Sequence, residues 1–113
     1  MSKEEIKPIE MRIKQIQKLL EDISIEKRKL KRTEEELFDI HSDSLRSFRE
    51  LELLSRDEQR YQELLTGLDS LGRNIEQWVD DKRADLKCLE CKLEEEFDDL
   101  SGKRKKILEK MEK

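Results

Sequence analysis

Apolar residues recur three and four positions apart from the amino terminus onward. Ile6, Ile9, Ile13, Ile16, Leu20 and Ile23 keep that spacing without a miss, and Leu30 and Leu37 extend one of its two registers. Lys27 and Glu34 interrupt the other. Such spacing gathers side chains on one helical face as a heptad-like seam. Between Glu34 and Asp57 the seam widens. Leu37, Phe38, Ile40, Leu45, Phe48, Leu51, Leu53 and Leu54 spread over an arc broad enough for two neighbours. His41-Ser42-Asp43-Ser44 is the poorest helix-forming tetrapeptide and a candidate kink. Ser55 with Glu58 has the form of a capping box, a second-choice break that would divide the chain into near-equal halves.

Turn chemistry favours a different break, at residues 67–74. This stretch holds Gly67 and Gly72, two of the three glycines. Glycine is the usual residue just past a helix end because it takes the left-handed conformation cheaply. Asn74 can cap a new helix, with Gln77 as its reciprocal partner. The second helix then carries Ile75, Trp78, Val79, Leu86, Leu89, Leu93, Phe97, Leu100, Ile107, Leu108 and Met111. Gly102 weakens that seam without ending it.

The expected fold is all-α: a single elongated antiparallel helical hairpin with unequal helices and coiled-coil-like packing. Helix one runs over about 3–66 and helix two over about 75–111. At 1.5 Å per residue these are roughly 95 Å and 55 Å long. Helix two then reaches back only to about residue 30, so residues 3–30 overhang with the cleanest apolar seam of the chain. An exposed stripe of that kind marks a partner interface, for another copy or for a different protein. The candidate partner-binding residues are Ile6, Ile9, Ile13, Ile16, Leu20, Ile23, Leu30 and Leu37. Phe48 and Leu51 from the wider arc and the single tryptophan, Trp78, complete the set. Trp78 either anchors a partner or covers the turn end of the hairpin.

Composition agrees with long helices. Of 113 residues, 48% are charged, 34% hydrophobic and 4% aromatic, so a thick globular core is out of reach. A thin helical chain rarely builds the concave pocket that catalysis needs, which argues against an enzyme. No apolar run approaches the roughly 20 residues of a membrane span. The start, MSKEEIKPIE, has no apolar signal-peptide core, which predicts synthesis and residence in the cytoplasm.

The remaining chemistry is sparse. Cys88 and Cys91 form a CxxC pair, but inside a helical pattern and without a second pair or a nearby turn glycine. Half a shared zinc site and a redox pair are the functional readings; small residues beside the seam, kept reduced, is the preferred one. His41 has no nucleophile and orienting group around it, so no catalytic residue, metal or cofactor is assigned. The basic runs at 27–32 and 103–106 neighbour the acidic runs at 34–36 and 98–99, and the net charge is −4. A nucleic-acid surface would be basic throughout; alternating signs describe a solvated helix. The hairpin register above sets 103–106 beside Glu34-Glu35-Glu36 as a register lock.

The chain resembles the small helical partner proteins of LXG-domain toxins of Gram-positive type VII secretion systems. The resemblance spans nearly the whole sequence. It rests on MSKEE–IEMRIKQIQ, on EEELFDIHSDSLRSF (34–48), on LGRNIEQWVDDKR (71–83) and on LEEEFDDLSGKRKKILEK (93–110). It implies a WXG100-like hairpin that binds the helical LXG domain of one cognate toxin in the cytoplasm through apolar contacts. A second small helical partner would complete a targeting complex. The export pattern of an aromatic residue with an acid four positions on is met only by Phe48 and Glu52, in helix one, and no WxG turn is present. The chain is therefore similar to the stabilising, chaperone-type partner, with co-export as the alternative fate. A homomeric coiled-coil scaffold using the same seam is the competing expectation.

Overall fold

The computed structural model describes residues 2–52 and 58–112. Two α-helices account for them: α1, Ser2–Glu52, and α2, Glu58–Glu112. The described residues contain no strand. The expected all-α hairpin of two long helices is what forms, but the helices are nearly equal, with 51 and 55 residues.

The turn expected at 67–74 is therefore corrected: those residues lie inside α2. Neither Gly67 nor Gly72 has positive φ, so neither acts as a helix stop. A helical glycine costs only about 1 kcal/mol relative to alanine. The buried or half-buried Tyr61, Leu65, Leu68, Ile75 and Val79 on the same helix outweigh that cost. Asn74 is thus no cap, and the Gln77 amide donates instead to Asp81, at 2.9 Å. The helix also continues through 41–44, where the Ser44 hydroxyl donates back to the Ile40 carbonyl at 2.8 Å. Ser55 of the second-choice break lies outside the described residues, and α2 starts at its partner, Glu58.

The chain divides into two compact units, residues 1–27 with 84–113 and residues 28–83. Each helix contributes to both. In the first unit, Ile16, Ile23 and Leu93 form the buried core, with Leu20, Leu86, Phe97 and Leu100 packed against it. Three ion pairs set the register there. Glu10 accepts from Arg104 at 3.0 Å, Arg12 donates twice to Glu96 at 2.8 and 3.0 Å, and Lys27 meets Glu90 at 2.6 Å. Partners descend along α2 as they ascend along α1, so the two segments run antiparallel. In the second unit Tyr61 and Val79 are buried, and Arg83 donates to Glu34. The register lock between 103–106 and 34–36 is corrected accordingly: Arg104 belongs to Glu10 and Glu34 to Arg83.

The polar residues that interrupt the apolar pattern belong to the seam. Ile6, Ile13, Leu20, Lys27, Glu34, His41 and Phe48 form one heptad row, and none is exposed. Its three charged or polar members each bond across to α2, Lys27 to Glu90, Glu34 to Arg83 and His41 to the Leu68 carbonyl. Polar seam residues that need one partner penalise slipped registers, because a slip leaves them unpaired.

The Arg12–Glu96 pair makes the first unit sensitive to acid. The hydrogen bond from Arg12, with a smaller coulombic contribution, holds the Glu96 carboxyl below its usual range despite partial desolvation. A carboxylate lowered on folding stabilises the fold above its unfolded pKa, and that contribution is lost as pH falls through the folded value. The melting temperature of wild type should exceed that of Glu96→Gln at neutral pH. The gap should close on acidification below the ordinary carboxylate range of about 4, as followed by circular dichroism. A gap independent of pH would contradict this role for the pair.

Candidate protein-docking surface

The overhang inferred from the sequence does not exist, because α2 is long enough to pair with the amino-terminal seam. Ile6, Ile16 and Ile23 are buried, and Ile9, Ile13, Leu20, Leu30, Leu37 and Phe48 are half-buried. These nine candidates lie on the seam that the chain spends on its own second helix. Only Leu51 and Trp78 of the candidate set remain exposed.

A different apolar row faces outward in the second unit. Leu64, Leu71 and Trp78 are spaced by sevens and are 47%, 50% and 44% exposed. Each lies one residue ahead of a seam position, Leu65, Gly72 and Val79, so each turns to the flank of the helix pair. His41 lies against Gly72, where an added Cβ would stand 2.8 Å from two ring atoms. That contact places residues 41 and 72 face to face. In an antiparallel pair the residues preceding them, Ile40 and Leu71, flank the same side. Ile40 is 63% exposed. Half-buried Leu68 and Ile75 join this row to the seam.

The surface around it is poor in charge. From Leu64 to Val79 only Asp69, Arg73 and Glu76 are charged, in a chain where 48% of residues are. Thr66, Gly67, Ser70, Asn74 and Gln77 occupy the other outward positions. Apolar exposure with little charge is the signature of the centre of a protein interface. The sequence signal for this row is a doubled heptad, Leu64-Leu65, Leu71-Gly72 and Trp78-Val79. The glycine-based turn concealed it by assigning these residues to two helices.

His41 has a structural contact. A carbonyl only accepts, so His41 Nε2 donates to the Leu68 oxygen, at 2.7 Å. The ring fits because Gly72 has no side chain. Cys88 and Cys91 are free and exposed. Among the described residues no three His, Cys, Asp or Glu side chains are grouped to hold a metal ion. An open cleft of about 390 Å³ in the first unit is lined by Ile13, Lys14, Gln17, Phe97 and the paired Glu10 and Arg104, among others. Glu10 and Arg104 in its wall are paired with each other at 3.0 Å. No described helix is long and apolar enough to cross a membrane. No family model, curated protein or solved structure matches the chain.

Proposed function

We propose that this protein is a non-catalytic adaptor that docks a helix of a larger protein on the row Leu64–Leu71–Trp78, with Ile40 at its side. The observation that carries this reading is an apolar row exposed at heptad spacing on helices whose own seam is already satisfied. A partner helix would lie along the row and present its own apolar stripe, as in helix-in-groove recognition. The larger protein is proposed to be an LXG-domain toxin of a type VII secretion system, bound in the cytoplasm through its helical amino-terminal domain. The sequence resemblance supports that identity, and the paired helices agree with the hairpin it implies. Relative to the sequence reading, the docking surface moves from the amino-terminal seam to α2; Trp78 belongs to both.

Affinity purification of the tagged chain from its native cell, at natural expression, tests the reading. One larger protein with a helical amino-terminal domain should co-elute with wild type. It should also co-elute with Met11→Asp, which puts a charge on an exposed residue of the other unit. It should be lost with Leu71→Asp. Adding the purified helical domain should raise the melting temperature; at a hundredfold excess over Kd the expected stabilisation is about 2.7 kcal/mol. Elution of the chain with itself alone would overturn the adaptor reading.

A further inference from the structure

We propose that Cys88 and Cys91 form a two-thiolate site for a soft monovalent cation, the cuprous ion, on the outer face of α2. The proposal is independent of the adaptor reading.

The cysteines do not lie beside the seam, where the sequence pattern sets them. In the first unit α2 packs through Leu86, Leu93 and Phe97. At 3.6 residues per turn, Cys88 and Cys91 fall on the opposite side of the helix, about 60° apart. Both are free and exposed. Free cysteine is among the most buried residue types, and an exposed one is an accessible thiol. These are the only two cysteines of the chain, and they stand about one helical turn apart. Packing within the chain calls for neither of them.

Spacing selects the chemistry. Positions three apart on a helix put their Cβ atoms about 5–6 Å from each other. A disulfide needs about 3.5–4.5 Å, so α2 would have to distort to close one. An ion held between the two sulfurs spans the wider gap and leaves the helix intact. Two S–H protons pass to solvent as two metal–sulfur bonds form, and nothing is oxidised.

The number of donors selects the ion. Among the described residues no third His, Cys, Asp or Glu is grouped with the pair to hold a metal. A closed zinc site takes four ligands, and calcium or magnesium takes a shell of oxygens, so the pair satisfies none of these. Thiolates favour soft ions, cuprous copper among them. A monovalent ion of that kind is complete with two sulfurs on opposite sides. Held on an exposed helix face, it is also open to an incoming thiolate, so the site suits exchange of the ion more than its permanent storage.

Anaerobic titration of the full chain with the coloured cuprous bicinchoninate complex tests the site. Wild type should take one copper per chain and bleach the complex. Cys88→Ser and Cys91→Ser should each weaken binding by more than the roughly 10–100-fold that changes outside the ligands themselves cause. A spacing control keeps two thiols: Cys91→Ser with Glu94→Cys sets them six positions apart on different faces. It should bind no better than the single serine variants. All three positions are exposed, so helical circular dichroism should be unchanged throughout. X-ray absorption at the copper edge should find two sulfur neighbours. A wild-type chain that takes no copper from the complex overturns the proposal, as does wild-type affinity in the spacing control. Half an ion per chain, or three or more sulfur neighbours, also overturns it, because the copper is then shared between copies. Failure of the adaptor reading is separate: it is a chain, with or without copper, from which no larger protein co-elutes.

Discussion

Ile16→Ala should lower the stability of the protein by about 2–5 kcal/mol, the cost of truncating a fully buried aliphatic side chain. Ile16 is completely inaccessible and packs in the core with Ile23 and Leu93. Truncation removes its transfer free energy and leaves a cavity that two rigid helices close poorly. Ile16→Asp is more severe, because the carboxylate would be buried among Leu20, Leu93 and Phe97 with no polar partner in that cluster. A domain of this size has a total stability of about 5–15 kcal/mol, so the aspartate variant should lose the folded first unit at ordinary temperature. Thermal melts followed at 222 nm give the measurement. The overhang expected from sequence makes the opposite prediction, a solvent-facing Ile16 whose loss leaves the melt within about 0.5 kcal/mol of wild type. An unchanged melt would remove the first unit as described here.

Gly72→Leu should have the second largest effect, in the other unit. A Cβ at this position would lie 2.8 Å from both Cε1 and Nε2 of His41. The ring sits at a seam position and is tied to the Leu68 carbonyl. The remaining leucine atoms add volume to a helix interface that already closes on the imidazole. Forced overpacking of this kind costs about 1–3 kcal/mol. Removing the ring should relieve it: in a His41→Ala background, Gly72→Leu should become neutral or stabilising, a coupling that a double-mutant cycle measures. Gly67 is the internal control. Its Cβ position is open and its backbone is helical, so Gly67→Ala should stabilise by about 0.5–1 kcal/mol. If both glycines formed a turn, both substitutions would be harmful and His41→Ala would rescue neither.

These two glycines show where reading the sequence fails and why. A glycine is compatible with a turn, with a close approach, or with neither, and the chemistry of the residue does not separate the three. Gly72 is a close approach because His41, thirty-one positions earlier, happens to face it. Only the pairing of the two helices reveals that. The position of the turn then propagates through every later inference. With α1 extending to Glu52 and α2 already begun at Glu58, α2 pairs further along α1 and covers the amino-terminal seam. That pairing also changes the ionic partners expected of the basic run at 103–106: Arg104 pairs with Glu10, and Glu34 with Arg83.

Lys27 and Glu34 teach a related lesson. As charged residues in an apolar row they read as the end of a register. In the folded chain they occupy the seam and are compensated by Glu90 and Arg83. A charge in a seam is tolerable only when its partner is within reach, and reach depends on register.

Helical class, the hairpin of two long helices and the apolar seam of α1 were legible from spacing. They depend on a periodicity of 3.6 residues and on the sign of each side chain's transfer free energy, which are local properties. Which seam meets which, and hence what remains exposed, depends on the alignment of two helices more than fifty residues long. That alignment is decided by sparse, distant contacts: His41 against Gly72, Arg12 with Glu96, Lys27 with Glu90. The surface available for a partner is the remainder after that alignment. It passed from Ile6–Leu37 to Leu64–Trp78 because burial is a property of pairs of segments, and no single segment carries it alone.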